Sequence, residues 1–181
     1  NEGDTVIISG SAAPGLSKDI FDQIIKTCKD KKADFVIDTS GQALRKAIES
    51  RPLLIKPNFD EISELFGIEF TSKEEIIPYG KKCLDMGAQY AIVSMGGDGA
   101  LFFDGDNVYY APAVKGVLVN SVGAGDSMLA GFVGSIKSGL EPLESFKWSV
   151  ASGTGTAFCQ DIATRDQIDE IYKKIIIEKL S

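Results

Sequence analysis

A chain of 181 residues, 44% of them apolar, is long enough to bury the core of one ordinary domain. Its formal charge of −7 and the lack of any dense Lys/Arg cluster exclude a nucleic-acid surface. No apolar run nears the roughly 18 residues of a membrane span and no signal-peptide pattern opens the chain, so it reads as soluble and cytoplasmic. Histidine is absent, which removes Ser-His-Asp and Cys-His nucleophiles and the usual catalytic zinc sites. Chemistry must then rest on carboxylates, amides, hydroxyls, lysines and a hard cation such as Mg²⁺. Cys28, Cys83 and Cys159 fall at scattered apolar positions without metal-ligand spacing and read as reduced, buried thiols.

In chain order, Val6–Ser9 reads as a buried strand and Gly10-Ser-Ala-Ala-Pro-Gly15 as a turn-forming connection. A helix from Ser17 to about Lys31 carries Ile20, Phe21, Ile24, Ile25 and Cys28 on one face. Phe35–Asp38 is a second strand, and Asp38 at its end either caps the next helix, Gln42 to Ser50, or faces a ligand. Leu53–Lys56 is a third strand. Pro57 stops it, and Asn58 opens a helix in which Asn58 and Glu61 form a variant capping box or point together toward the strand ends.

Between Gly67 and Met86 the pattern predicts a helix pair, with a capping box in Thr71–Glu75. Tyr90–Ser94, Met95–Gly99 and the apolar run after it read as a glycine-rich hairpin, followed by a strand at Asn107–Tyr110. Three helices complete the chain: Asp126–Lys137, Pro142 to about Gln160, and Thr164–Lys179. Small residues at Ala151–Ala157 predict close packing on the helix that carries Asp126. Strands alternating with helices over the first half point to βαβ units and a parallel sheet, whose ligands gather beyond the carboxyl ends of the strands.

Asn120-Ser-Val-Gly-Ala-Gly-Asp-Ser-Met-Leu-Ala-Gly-Phe-Val133 holds the strongest chemical signal. The apolar run Val117–Val119 leads into Gly123-Ala-Gly125, and the helix beginning near Asp126 presents main-chain N–H groups that have no helical partner, which favour an anion. A carboxylate in that first turn can cap the helix or accept a proton from a substrate hydroxyl. A Walker loop would need Lys-Ser or Lys-Thr where Asp126-Ser127 stands, and a dinucleotide fingerprint would need Gly or Ala where Met128 stands. A dinucleotide-dependent oxidoreductase is therefore disfavoured.

This stretch resembles the C-terminal signature of the ribokinase-like (PfkB) carbohydrate kinases. Lys56-Pro-Asn-Phe-Asp-Glu61 and Ser94-Met-Gly-Gly-Asp-Gly99 resemble two further family blocks, in the expected order. The resemblance implies a three-layer α/β/α fold with a mainly parallel sheet and an antiparallel edge hairpin. It also implies that residues 1–181 are the C-terminal portion of one kinase domain whose first strands and β-sheet lid lie upstream. By the same resemblance Asp126 is the catalytic base, and the amides of Gly123, Ala124 and Gly125 form the anion hole. Lys56, Asn58, Ser94, Gly96, Gly99 and Cys159 line the ATP site, and Glu61 holds Mg²⁺ through water. Gly10, Ser11 and Asp38, together with Asp126, meet the sugar phosphate.

The implied reaction is ATP-dependent phosphorylation of a ketose phosphate, first of all fructose 1-phosphate to fructose 1,6-bisphosphate. Tagatose-6-phosphate kinase is the alternative. A nucleotide-binding module without catalysis is a further one, because the implied lid is absent. Partners are thus ATP and a sugar phosphate, with neither nucleic acid nor membrane. A homodimer of the full-length protein would use the lid.

Overall fold

The computed structural model describes residues 1–10, 15, 17 and 19–181, which fall into two compact units. The first comprises Asn1–Val93 with Phe103–Asn107, the second Ser94–Phe102 with Val108–Ser181.

In the first unit, β1 (Thr5–Ser9), β2 (Asp34–Asp38), β3 (Leu54–Ile55) and β4 (Tyr90–Ser94) are parallel neighbours in chain order. Between them run α1 (Ile20–Asp30), α2 (Gly41–Ile48), α3 (Phe59–Phe66) and α4 (Lys73–Met86). Phe35, Val36 and Ile37 of β2 and Ala91, Ile92 and Val93 of β4 are all buried, as strands covered on both faces require. The first strand departs from the buried strand expected of it. It lies at the end of the order with β2 as its one neighbour, so Ile8 is buried but Ile7 is 43% exposed.

Between Gly67 and Met86 there is one helix, α4, where a pair was expected. The preceding helix α3 stops at Phe66 because Gly67 adopts φ 66° and closes a Schellman-type end: Gly67 N–H donates to Glu64 O and Ile68 N–H to Ser63 O. The extended stretch that follows ends where Thr71 N–H donates to Glu75 Oε2 at 2.7 Å.

The second unit contains Gly96–Asp98 as a 3₁₀ turn, β5 (Ala100–Asp104, reaching into the first unit), β6 (Asn107–Ala111), α5 (Ala124–Lys137), α6 (Pro142–Ala157), α7 (Arg165–Tyr172) and β7 (Glu178–Lys179). The segment expected as a helix to Lys179 instead leaves the helix after Tyr172. Three consecutive β-branched residues, Ile175–Ile177, disfavour its continuation, and Glu178 and Lys179 pair antiparallel with Tyr110 and Tyr109. Val117–Val119, expected as an apolar lead-in, forms no strand and lies 77%, 67% and 50% exposed.

The unit's core is aromatic. Phe102 stacks on Phe146 with ring centroids 5.0 Å apart and meets Phe132 at 5.7 Å. The close packing expected of Ala151–Ala157 is present: a Cβ on Gly153 would come 2.3 Å from Met128 Cγ and 3.0 Å from Ala124 O.

Candidate active site

In the first unit the expected residues gather at the carboxyl ends of three parallel strands. Gly10 follows β1, and its N–H donates to Asp38 O at 2.8 Å while its φ of 81° turns the chain away. Ser11 lies outside the described residues. Asp38 ends β2, and Lys56 directly follows β3. These two were expected on different ligands, yet Lys56 Nζ lies 3.3 Å from Asp38 Oδ1, and Lys56 is only 5% exposed.

Asn58 and Glu61 make the full capping box. Asn58 Oδ1 accepts from Glu61 N–H at 2.9 Å, and Glu61 Oε2 accepts from Asn58 N–H at 2.7 Å. One of the roughly four lone-pair sites of the Glu61 carboxylate is thereby occupied, so the structural role leaves room for a water-mediated one. Among the described residues no three Cys, Asp or Glu side chains converge to hold a metal. A cation at Glu61 would therefore draw most of its shell from water and phosphate oxygens, a donor set that suits Mg²⁺.

In the second unit the signature loop is tied down before its helix begins. Val119 N–H and Asn120 N–H both donate to Ala157 O, at 2.9 and 3.2 Å. The Asn120 side chain donates to Gln160 O and accepts from Val122 N–H. Gly123 caps α5 with φ 78°, a left-handed conformation that a side chain would strain, and Ser127 N–H returns to Gly123 O. Asp126, in the first turn, is exposed.

The anion-hole expectation narrows at one amide: Ala124 N–H donates to Ser121 O at 3.2 Å. Gly123 and Gly125 N–H have no main-chain partner among the described residues. Behind them, Thr156 Oγ1 donates to Ser127 Oγ at 2.9 Å and accepts from Ala163 N–H, fixing the helix start against α6.

Ala124 and Gly125 open onto a cleft of about 590 Å³ within the second unit. Ser94, Gly96 and Gly99 border it as expected. Lys115, Met128 and Phe158 also line it, together with Val150, Gly153, Thr154 and Ala157. The last four follow an i, i+3, i+4, i+7 spacing, one face of α6, and that periodicity was the signal by which the sequence could have marked them.

Gly99 is required by geometry. Its φ is 88°, its carbonyl accepts from Met95 N–H, and a Cβ would meet Ala111 O at 2.1 Å. The expected hairpin is thus a 3₁₀ turn closed by a glycine pressed against the neighbouring backbone. Cys159 does not line this cleft. It borders a separate hollow of about 390 Å³ with Asp166, Glu170 and Lys174, and the cleft wall at that point is Phe158. The helix α6 ends at Ala157 with Phe158 as its C-cap, so Cys159 lies in the turn beyond it and not on the helix face that lines the cleft.

Burial pushes the Cys83 thiol up to about 12 and raises that of Cys28, so neither is a nucleophile at neutral pH.

The glycine-capped helix start, the carboxylate in its first turn and the adjoining cleft stand together in the second unit. The pfkB family carbohydrate kinase pattern matches residues 1–169 of this sequence, and the chain belongs to that family. It is 45% identical over 179 residues to a Bacillus subtilis 1-phosphofructokinase, covering 99% of this chain and 59% of that protein. It is 35% identical to a Bacillus licheniformis D-tagatose-1-phosphate kinase, over 98% and 59%. The crystal structure of Escherichia coli phosphofructokinase-2 in complex with substrates and products superposes with a TM-score of 0.90 at 27% identity, over 96% of this chain and 57% of that one. The fold is accordingly that of the ribokinase-like α/β kinases, with a mixed, mostly parallel sheet. The chain spans somewhat under three-fifths of the length of these relatives.

Proposed function

We propose that this chain forms the C-terminal portion of one kinase domain that transfers the γ-phosphoryl group of ATP to a hydroxymethyl group of a ketose phosphate. Fructose 1-phosphate, giving fructose 1,6-bisphosphate, is the first candidate, in keeping with the name of the 45%-identical relative. The observation that carries the reading is the α5 start: Gly123 caps it at φ 78°, the Gly123 and Gly125 N–H have no main-chain partner among the described residues, and Asp126 stands exposed in the same turn.

In the reaction Asp126 accepts the proton of the attacking hydroxyl as its oxygen bonds to the γ-phosphorus and ADP departs. The Gly123 and Gly125 amides stabilise charge on the equatorial oxygens, and Lys56 adds a fixed positive charge. Mg²⁺, held near Asn58 and Glu61 largely through water, supplies charge neutralisation on the phosphates when bound. Ser94, Gly96, Gly99 and Phe158 border the nucleotide. Gly10 and Ser11 belong to the region assigned to the sugar phosphate, while Asp38 at the end of β2 pairs with Lys56.

ADP release measured against fructose 1-phosphate, fructose 6-phosphate, tagatose 1-phosphate and tagatose 6-phosphate tests the proposal. Turnover with a ketose phosphate is expected, and no ketose-dependent ADP from the intact protein would overturn it. The cleft beside the α5 start lies wholly within the second unit, which also fits a second reading, a nucleotide-binding module without transfer. Calorimetric binding of ATP–Mg²⁺ by residues 1–181 without sugar-dependent ADP release would support it.

A further inference from the structure

Lys56 presents a physical problem. A lysine ammonium is a compact, strongly hydrated charge that is almost never fully buried unless paired, yet this residue is 5% exposed. Its partner is Asp38, whose Oδ1 lies 3.3 Å from Nζ and whose side chain is itself only 15% exposed. Backbone register makes the pairing unavoidable. Ile37 stands opposite Ile55 in the parallel β2–β3 ladder, so Asp38 and Lys56, the next residue on each strand, leave the sheet side by side. Lys56 N–H still donates to Ile37 O, and Pro57 behind it is buried, which leaves the lysine backbone little freedom.

We propose that Asp38 is a positioning residue. Its carboxylate fixes the Lys56 ammonium at the end of β3 for the nucleotide's terminal phosphates, and it does not contact the sugar phosphate. The inference rests on the kinase reading of Lys56. Removing one partner of a buried ion pair leaves an uncompensated charge, so an unpaired Lys56 leaves its position. The phosphates then lose a preorganised charge while the sugar's own contacts are untouched. The damage should fall on the phosphoryl-transfer step and not on sugar affinity.

The test uses the intact protein with Asp38→Asn, Asp38→Glu, Lys56→Met and the Asp38→Asn/Lys56→Met pair, each verified as folded by circular dichroism. In the wild type, NMR of ¹⁵N-lysine should show one slowly exchanging ammonium that vanishes in Lys56→Met and loses its protection in Asp38→Asn. Kinetically, Asp38→Asn should lower kcat about tenfold or more with the sugar KM unchanged within about twofold, and Asp38→Glu should restore part of it. The double variant should be no worse than Lys56→Met alone, since both changes remove one shared effect. A raised sugar KM at preserved kcat, fully multiplicative losses in the double variant, or a wild-type Lys56 ammonium exchanging like a surface lysine would each overturn the assignment. Absence of wild-type turnover would instead sink the kinase reading, and the ammonium signal separates the two failures.

Discussion

The place of Asp126 in the first turn of a glycine-capped helix was legible in the sequence because that geometry depends on a local pattern: two glycines, an apolar lead-in and a carboxylate one residue later. Replacing it with Asn preserves shape and removes only the proton acceptor. Turnover in the intact protein should then fall about 10²–10⁴-fold while ATP–Mg²⁺ affinity changes little, and retention of a tenth or more of the activity would refute the base assignment. Gly99 and Gly96 looked equivalent in the sequence, and the structure separates them. At Gly96, φ 56° with nothing within 4 Å of an added Cβ, alanine should cost about 1–2 kcal/mol of backbone strain. At Gly99 the same change drives a methyl to 2.1 Å from Ala111 O in a conformation only glycine adopts. Urea denaturation should show Gly99→Ala as clearly the more destabilised of the two.

Element boundaries divide along the same line. Helix α3 was readable because its stop signals are local: Pro57 before it, the Asn58/Glu61 box at its start and Gly67 at its end. The end of α7 was not, because its helical periodicity runs on while the pairing of Glu178 and Lys179 with β6 is a contact across the unit.

What holds α7 to α6 is a stacked cluster: Arg165 lies 4.4 Å over the Trp148 ring, Trp148 stacks on Tyr172 at 4.4 Å, and Lys147 sits 4.2 Å over Tyr172. Burial first, and then the hydrogen bond from its hydroxyl to Glu144 Oε1, push the Tyr172 phenol up to about 12. A phenol whose folded value is raised contributes stability that is complete below its ordinary value of 10.0 and drains as pH climbs toward 12. Tyr172→Phe should therefore cost about 0.5–1.5 kcal/mol at pH 7 from the lost hydrogen bond. Its melting temperature should also fall less steeply than the wild type's between pH 10 and 12. Equal slopes would show that the phenol titrates alike in the folded and unfolded states and is not raised by folding. Trp148 is the single tryptophan, so its fluorescence reports the docking of α7 directly.

At the scale of the whole molecule the candidate residues divide between the units: Gly10, Asp38, Lys56, Asn58 and Glu61 in the first, and the cleft-lining Ser94, Gly96, Gly99 and Phe158 with Asp126 in the second. No helix among the described residues is long and apolar enough to cross a membrane. ATP–Mg²⁺ at about 100 times its Kd should raise stability by about 2.7 kcal/mol, and chelation of the metal should remove most of that thermal shift. An undiminished shift in EDTA would count against a metal held near Glu61. By itself the sequence determined the family and the alternation of helices with strands of a parallel sheet, because periodicity, glycine turns and contiguous signature motifs act over a few residues. Only the tertiary structure decided that Lys56 is sheathed by Asp38, that Phe158 and not Cys159 walls the cleft, and that the chain ends in a strand. The first and third depend on register against a distant strand and the second on how the chain leaves α6 after Ala157, and no local spacing encodes these.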